Sequence, residues 1–368
     1  MAPSDLVRVN PDRLRDYTTR VFVALGVPAE DSYVTADVLV AADLRGVDSH
    51  GVARLRRYVQ GIRDGVMLPR PEVRVVHETP ATALIDGGAG LGQPVSLRAM
   101  RLAIEKAKAV GAGFVAVRNS NHYGIAGYYS MMALQEGNLI GLSMTNADVL
   151  VVPTFGRDAV LGTNPISVAA PSGKESPFVL DMATSTVPRG KLEVYDRLDK
   201  EVPIGWATDE RGLDTTDAGR VLRNFKSRAG GGLLPLGGAG ELLSGHKGYG
   251  LALLVDILCG VLPGAGYANT IYPKDASGKP LPANVGHFFG AWRIDGFRPV
   301  EEFQASMDDI VRRLKDTPRA EGQSRIYIHG EKEFEATERY RAEGVPLVGK
   351  VYEDLRAIGG ETGVAFDL

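Results

Sequence analysis

The sequence predicts an α/β protein in which a helical N-terminal part precedes alternating strands and helices. Three helical stretches, 11–25, 29–44 and 49–65, occupy the first 65 residues. Short apolar runs then alternate with longer amphipathic stretches, a pattern typical of layered α/β architectures. With 368 residues, the chain is also long enough for more than one domain.

The N-terminal helices are predicted from capping residues and from the spacing of apolar side chains. Asn10 precedes Pro11, an arrangement that favours an N-cap followed by proline in the first turn. Gly26 is expected to end the first helix, because glycine readily leaves the helical conformation. The second and third helices are predicted to end near residues 44 and 64–65.

The alternating part is predicted from apolar runs bounded by turn residues. The predicted strands are 82–86, 113–118, 139–145, 166–170, 177–180 and 287–294. The predicted helices are 94–110, 125–136, 249–261, 301–314, 333–341 and 350–358. Segments 212–232 and 267–282 are rich in turn residues and are therefore predicted to be loops.

Composition excludes several classes of protein. The net charge is -3 with no basic block, so no nucleic-acid partner is expected. Cys259 is the sole cysteine, which excludes an intrachain disulfide and a multi-cysteine metal site and suits the cytoplasm. Residues 1–14 lack the apolar core of a signal peptide, and the longest apolar run, 251–262, contains Asp256 and is too short to span a bilayer. No membrane partner is expected.

The segment from Ser49 to Tyr58 is the first candidate site. On a continuous helix, side chains spaced four residues apart share one face; here they are His50, Arg54 and Tyr58. Arginine binds a carboxylate through two parallel hydrogen bonds, and histidine exchanges a proton near neutral pH. Ser49 could cap the helix or bind substrate. The alternative is a solvated helix face, since Arg56 and Arg57 show that arginine is common here.

The polar loop 119–124 is the second candidate site. It follows a predicted strand and precedes a predicted helix, the position at which open α/β sheets bind ligands. His122 is a candidate for proton transfer. The alternative is a capping turn, in which Ser120 and Asn121 satisfy the free amides of the next helix.

Two strand ends carry small polar residues. Thr163 and Asn164 lie in a turn that offers a hydroxyl and an amide. Asp181 follows an apolar run and could bind a ribose hydroxyl, although capping the next helix is the commoner role.

Glycines surround Lys247 just before an apolar helix. Amides at a helix N-terminus favour anions, so Lys247 could meet a pyrophosphate or a carboxylate. The alternative is a turn with an exposed lysine. Gly330 marks a further turn, which by itself reads as a plain surface turn.

Several other residues are interpreted as structural. Cys259 and Leu254 are expected in the core, and His77, His287 and Trp292 are expected to lack a polar cluster around them. The common catalytic and nucleotide-binding motifs are absent, including the glycine fingerprint of the Rossmann fold. These motifs alone leave the function open.

Seven strings nevertheless occur in a specific order over nearly the whole chain: LRGVDSHGVARLRRY, SNHYGIAGYY, LGTNPI, LDMATS, GWATDERG, LLPLGGAGELLSGHKGYGLAL and IHGEKEF. Each is weakly specific, but the ordered set is similar to the type-2 malate/L-lactate dehydrogenase family, most of all to its archaeal-type malate dehydrogenases. The resemblance implies a non-Rossmann, mixed-sheet NAD(P)-binding domain over 76–294. It also implies a helical, dimerising part formed by 1–75 and about 295–368, in a homodimer.

The resemblance also implies an activity. Family members transfer a hydride between NAD or NADP and a small 2-hydroxy or 2-keto acid, and malate/oxaloacetate is the favoured pair here. The alternatives are a lactate or sulfolactate dehydrogenase, or a reductase of cyclic imino acids or diketo sugar acids. Outside the family lie a non-catalytic binding protein and a Schiff-base enzyme built on Lys247. The presence of His50, Arg54 and His122 argues against the binding protein.

The resemblance implies roles for individual residues. His50 and His122 correspond to two histidines near the reacting carbon, and either could carry the proton. Arg54 corresponds to the carboxylate anchor, and Tyr58 would assist it. Further substrate contacts are implied for Ser49, Asn146, Thr163 and Asn164. Cofactor contacts are implied for Leu180, Asp181, Met182, Ala183, Lys247, Gly330 and Glu331, and no metal is implied.

The chain departs from its relatives at Ala147 and Asp148. A carboxylate near the pocket would disfavour a doubly anionic substrate unless Asp148 points away. This departure favours lactate or an imino acid over malate.

Overall fold

The computed structural model describes residues 6–368, so the first five residues of segment 1–14, which was assessed above for a signal peptide, lie outside it. The described residues contain eleven α-helices and eleven strands. The helices are α1 (Pro11–Ala24), α2 (Ala29–Leu44), α3 (Leu55–Arg63), α4 (Gly92–Val110), α5 (Ala126–Ser130), α6 (Arg189–Arg197), α7 (Ala218–Ser227), α8 (Gly245–Asp256), α9 (Val300–Lys315), α10 (Glu331–Glu343) and α11 (Gly349–Thr362).

The strands form one large sheet and two small ones. They are β1 (Leu6–Val9), β2 (Arg74–Glu78), β3 (Thr82–Asp86), β4 (Ala112–Ser120), β5 (Leu139–Thr145), β6 (Ile166–Ala170), β7 (Phe178–Met182), β8 (Ala207–Thr208), β9 (Gly232–Leu233), β10 (Val285–Arg293) and β11 (Val345–Val348). The seven-stranded sheet has the order β2-β3-β4-β10-β5-β6-β7. Only β3 and β4 pair in parallel within it, so the sheet is mixed. The predicted α/β class is confirmed.

The centre of the large sheet is occupied by a strand from late in the chain. β10 pairs antiparallel with both β4 and β5. Its Phe289 and the Val115 and Val117 side chains of β4 are fully buried against α4. This insertion brings together residues that are 140 positions apart, Gly286 and Asn146, at the ends of neighbouring strands.

The helical part has its own core, to which both ends of the described chain contribute. β1 pairs antiparallel with β11, from Leu6 with Val348 to Val9 with Val345. Tyr17 of α1 is fully buried, and its hydroxyl donates a hydrogen bond to the carbonyl of Leu355 in α11. Burial of apolar side chains from α1, α2, α3 and α11 holds this part together.

Local signals predicted several elements well. The Asn10 side chain accepts hydrogen bonds from the amides of Asp12 and Arg13, at 2.9 and 3.1 Å, as expected for an N-cap. The predicted bounds of the second helix match α2. No helix of the described residues is long and apolar enough to cross a membrane.

Other predictions were wrong. Segment 212–232 is not all loop, because it contains α7. The Asp217 side chain caps this helix by accepting from the amide of Arg220 at 2.8 Å, and Val221 is buried. The segment was predicted to be a loop because its many glycines are typical of turns, and they outweighed the capping signal of Asp217. Leu254 is exposed on the surface of α8 instead of buried, whereas Cys259 is buried as expected.

Candidate active site

A cleft of about 490 Å³ lies where the turn after α2 meets the ends of β6 and β7 and the turn before α10. Six of the predicted residues of the cofactor and substrate sites line it together with His50. These six are Ser49, Thr163, Asp181, Met182, Ala183 and Gly330. The sheet and the helical part therefore both contribute to one site.

The predicted continuous helix from residue 49 is wrong. Asp48–His50 and Val52–Arg54 are separate 3₁₀ turns, and α3 starts only at Leu55. The buried Asp43 carboxylate accepts the amide of Val52 at 2.8 Å. A Cβ on Gly51 would lie 1.8 Å from an Asp43 oxygen, so only glycine allows the chain to pass this side chain. His50, Arg54 and Tyr58 therefore do not share one helical face.

The two candidate histidines lie against each other. The imidazole rings of His50 and His122 stack with their centroids 5.5 Å apart and their planes at 23°. Burial, and then the charges of Arg54 and Arg57, lower the pKa of His50 to about 4. Burial, and then Arg57, lower the pKa of His122 well below its usual value. Both rings are therefore neutral at pH 7 before substrate binds.

The hydrogen bonds of His122 define its tautomer. The amide of Gly124 donates to Nδ1 of His122 at 3.3 Å, and the Tyr58 hydroxyl lies 2.7 Å from the same atom. A backbone amide can only donate, so Nδ1 is an acceptor and the neutral ring carries its proton on Nε2. Nδ1 of His50 lies 2.9 Å from the Ser49 hydroxyl, which can donate or accept.

Two arginines accompany the histidines. Nε of Arg54 donates to the carbonyl of Ser49 at 2.6 Å, and Nη2 of Arg57 donates to the hydroxyl of Tyr272 at 3.1 Å. Within residues 6–368, neither guanidinium forms an ion pair with a carboxylate. Arg56 points elsewhere and pairs with carboxylates of α11.

Sequence reasoning missed Arg57 and Tyr272. Arg57 follows Arg56, and the spacing of the two residues gives no sign that they face different surroundings. Tyr272 lies in segment 267–282, which is mostly irregular, as predicted. The hydrogen bond from Arg57 to the Tyr272 hydroxyl connects this part of the loop to α3. Burial raises the pKa of Tyr272.

Three of the predicted cofactor residues at the end of β7, Asp181, Met182 and Ala183, line the cleft, and Leu180 does not. The Asp181 carboxylate accepts the amide of Gly127 at 2.7 Å, and burial raises the pKa of Asp181 to about 6. Leu180 precedes it, and its carbonyl accepts the Ser167 hydroxyl. Arg45, which sequence reasoning missed, also lines the cleft, with its guanidinium 5.1 Å from the centre of the Phe334 ring.

Two other predicted cofactor residues lie outside the cleft lining. Lys247 is exposed in the first turn of α8. Glu331 is buried, pairs with Lys315 and Arg325, and accepts the amide of Ile328 at 3.0 Å. Its carboxylate therefore holds the Gly330 turn in place, and Gly330 lines the cleft together with neighbouring residues of that turn, such as Ile328 and His329.

The two predicted asparagines use their side chains within the protein. The Asn146 amide donates to the carbonyl of Gly266 at 2.7 Å and accepts from the amide of Gly286 at 3.0 Å. The Asn164 amide donates to the carbonyl of Ala252 at 2.9 Å and accepts from Ala147 at 3.1 Å. Both side chains are buried, and their hydrogen bonds connect backbone segments next to the site.

The expectation that no polar cluster surrounds His287 was wrong. Its two ring nitrogens lie 2.7 Å from the Thr145 hydroxyl and 2.9 Å from the Ser120 hydroxyl. The ring stacks on Tyr123 with the centroids 4.7 Å apart. This buried cluster supports the loop that carries His122, and it forms only because β10 lies between β4 and β5.

Known proteins share this architecture. A family model described as malate/L-lactate dehydrogenase matches residues 9–356. The chain belongs to the malate/L-lactate dehydrogenase family. The malate dehydrogenase of Pyrococcus horikoshii is 52% identical over 358 residues, 97% of this chain and 96% of that protein. The L-sulfolactate dehydrogenase of Methanocaldococcus jannaschii is 39% identical over 97% of both chains.

Solved structures agree with the family assignment. A malate dehydrogenase from Entamoeba histolytica has a TM-score of 0.93 and 37% identity, covering 99% of this chain and 100% of that one. The Pyrococcus horikoshii malate dehydrogenase structure has a TM-score of 0.88 and 49% identity, covering 99% and 98%. The protein is therefore an oxidoreductase of the malate/L-lactate dehydrogenase family, whose members use nicotinamide cofactors.

The cleft suits a nicotinamide dinucleotide. Arg45 is buried beside the cleft and forms no ion pair within the described part of the chain, so it can face a pyrophosphate. Asp181 offers an acceptor for a ribose hydroxyl. Gly330 has a φ of 99°, and a Cβ there would lie 3.0 Å from Val179. The backbone of this turn can therefore take its place beside the cleft only with glycine at position 330.

Proposed function

We propose that this chain is an NAD(P)-dependent dehydrogenase of small 2-hydroxy acids, with malate and oxaloacetate as its substrate pair. The observation that carries this proposal is the pair of stacked, neutral histidines beside two arginines without carboxylate partners. Neutral imidazoles can exchange a proton with a hydroxyl, and the arginines can bind carboxylates. Two malate dehydrogenases are among the relatives of this chain.

The protein's own residues would divide the work as follows. Arg54 binds the carboxylate next to the reacting carbon. His122 donates a hydrogen bond from Nε2 to the oxygen on that carbon, since its Nδ1 is held as an acceptor. His50 then takes the hydroxyl proton as the carbonyl forms, with Ser49 orienting its ring.

When bound, the nicotinamide supplies the acceptor for the hydride that leaves the substrate carbon. Arg45, Asp181, Met182, Ala183 and Gly330 would hold the dinucleotide in the cleft. The position of His50 in the cleft lining favours placement of the nicotinamide end near the histidines. Either NAD or NADP fits this proposal.

We infer further that the protein is a homodimer. The helix α8 and the helical turn that follows it expose a row of apolar side chains, each at least 40% accessible: Leu253, Leu254, Ile257 and Val261. Apolar surface of this kind is stabilised by association, and a second copy of the chain can cover it. The family resemblance supports the same assembly.

The direct test of the proposed activity uses the purified chain with NADH or NADPH. Absorbance of the reduced nicotinamide is followed while oxaloacetate, pyruvate and a cyclic imino acid are added in separate assays. We expect rapid oxidation with oxaloacetate, and the faster coenzyme will be the preferred one. Oxidation only with another acceptor would change the substrate, and no oxidation with any would contradict the proposed activity.

A further inference from the structure

We propose that Arg57 binds the second carboxylate of the substrate and makes the site selective for dianionic acids over monocarboxylic ones. This inference rests on the proposed function, because it assigns a role within that same reaction. Arg54 would bind the carboxylate next to the reacting carbon, and Arg57 would bind the one beyond it.

The first argument is the hydrogen bonding of Arg57. A guanidinium carries five N–H donors, and protein interiors rarely leave them unused. Arg57 is half-buried, and one of its donors contacts the neutral hydroxyl of Tyr272 at 3.1 Å. No other side-chain hydrogen bond of Arg57 occurs within the described residues, so donors remain for a ligand.

The second argument is the position of Arg57. Arg57 lies in α3 directly before Tyr58, whose hydroxyl is 2.7 Å from Nδ1 of His122, and three positions after Arg54. In agreement with this position, after burial the charge of Arg57 contributes to the lowered pKa of both His122 and His50. Its charge therefore lies beside the reacting centre. Arg56, the preceding residue, forms ion pairs with Asp354 and Glu361 on the far side of the helix.

The third argument is the balance of charge. Two carboxylates lie near enough to act electrostatically on these arginines: Asp148 on Arg57, and Glu193 on Arg54. Asp148 caps the amide of Val149 at 2.9 Å and has Arg228 at 3.9 Å. Glu193 forms an ion pair with Arg189 at 2.9 Å. Each acid thus has another cationic partner, and the two site arginines match two negative charges on a ligand.

This arrangement also answers the expectation that Asp148 would disfavour a dianion. The Asp148 side chain is about half exposed, at 49%, and its charge is shared between Arg228 and Arg57. The group formed by Asp148, Arg57 and Arg228 carries a net positive charge. A monocarboxylic acid would leave Arg57 without an anion in a half-buried position, which is unfavourable.

The test compares two substrates in three variants. Oxaloacetate and pyruvate share the reacting carbonyl and its carboxylate, and oxaloacetate alone has the second carboxylate. In R57Q we expect kcat/KM for oxaloacetate to fall on the order of 100-fold, mainly through KM, because the site loses a charge-assisted contact. The value for pyruvate, which has no second carboxylate, should fall much less than the value for oxaloacetate, so the ratio of the two values is the readout. R57K should recover part of the loss, and R56Q should resemble the parent for both substrates.

Equilibrium titration of NADH by fluorescence, run on the same variants, shows whether the cofactor cleft is intact. Equal losses for oxaloacetate and pyruvate in R57Q would overturn the proposal, because Arg57 would then act on the histidines. Unchanged activity with oxaloacetate in R57Q would also overturn it. If the unmodified protein oxidises NADH with pyruvate and not with oxaloacetate, the dianion proposal fails and the dehydrogenase remains. If it acts on no 2-keto acid, the proposed function itself fails.

Discussion

At the scale of single residues, His122 is held from two sides. The amide of Gly124 and the hydroxyl of Tyr58 both contact Nδ1, so the opposite nitrogen keeps the proton. Within residues 6–368, the ring of His50 has only the Ser49 hydroxyl as a hydrogen-bond partner, and a hydroxyl can donate or accept. His50 can therefore change its protonation without breaking a fixed hydrogen bond, whereas His122 cannot.

This difference predicts different responses to glutamine. The glutamine amide keeps a donor near the position of Nε2 but cannot carry a proton. His122→Ala should lower kcat by about 100- to 1000-fold, as loss of an oxyanion donor does, and His122→Gln should lose much less. His50→Gln should be as impaired as His50→Ala, by about 100-fold or more. Steady-state kinetics would contradict these roles if the glutamine variants behaved in the opposite way.

At the scale of elements, the end of β7 carries Asp181, a proposed cofactor residue whose carboxyl pKa is shifted. Burial raises the pKa of Asp181 to about 6, above the value of about 4 in an unfolded chain. A raised carboxyl pKa means that the folded protein binds this proton more tightly than the unfolded protein does. The contribution of Asp181 to the free energy of unfolding is therefore fully present below about pH 4 and is lost as the pH rises through about 6.

Asp181→Asn should remove this dependence. We expect the free energy of unfolding of the parent to decline relative to that of the variant between about pH 4 and 6, and to run parallel above that range. Urea denaturation at several pH values in cofactor-free buffer measures the difference. A constant difference across the range would show that Asp181 ionises normally.

The contact between α1 and α11 joins parts of the chain that are 338 residues apart. Removing the Tyr17 hydroxyl deletes the buried hydrogen bond between α1 and α11, while the carbonyl of Leu355 keeps its bond within α11. Tyr17→Phe should therefore destabilise the protein by about 0.5–1.5 kcal/mol. Tyr33→Phe is the matched control, because Tyr33 is exposed and its hydroxyl has no hydrogen-bond partner in residues 6–368. Equal denaturant midpoints for the two variants would show that the Tyr17 bond contributes nothing.

At the scale of the whole molecule, the exposed row on α8 predicts the assembly. Light scattering should give a mass of about 79 kDa, twice the 39.4 kDa of one chain. Ile257→Asp should shift the protein toward monomer, because a charge in an apolar interface is desolvated without a partner. Val110→Asp is a control on an equally exposed apolar residue at the end of α4. A monomeric parent protein would contradict the homodimer.

The proposed division of the chain stays a prediction at this scale. The core of the helical part does combine residues before 92 with residues after 339. In contrast, α9 contacts the turn after β6, where its Asp308 accepts the amides of Gly173 and Lys174 at 2.9 and 2.8 Å. The segment after residue 295 therefore reaches both parts. Limited proteolysis would show which of them is the more independent unit.

The sequence by itself determined the α/β class, the bounds of α1 and α2, and the family. These depend on local features: Asn10 as a cap, the alternation of apolar runs, and the order of short strings such as SNHYGIAGYY. It also predicted His50, His122 and Arg54 as site residues, because histidine and arginine suit such chemistry, and the structure places the two histidines against each other.

Only the tertiary structure decided how these residues meet. The buried Asp43 breaks the expected helix at Gly51, and Tyr272 meets Arg57 across 215 positions of sequence. The same packing joins Arg57 to Tyr272 and the neighbouring Arg56 to carboxylates of α11. It also surrounds His287 with hydroxyls, because β10 inserts between β4 and β5. Each of these outcomes depends on contacts between distant segments, and the spacing of residues within one segment carries no information about such contacts.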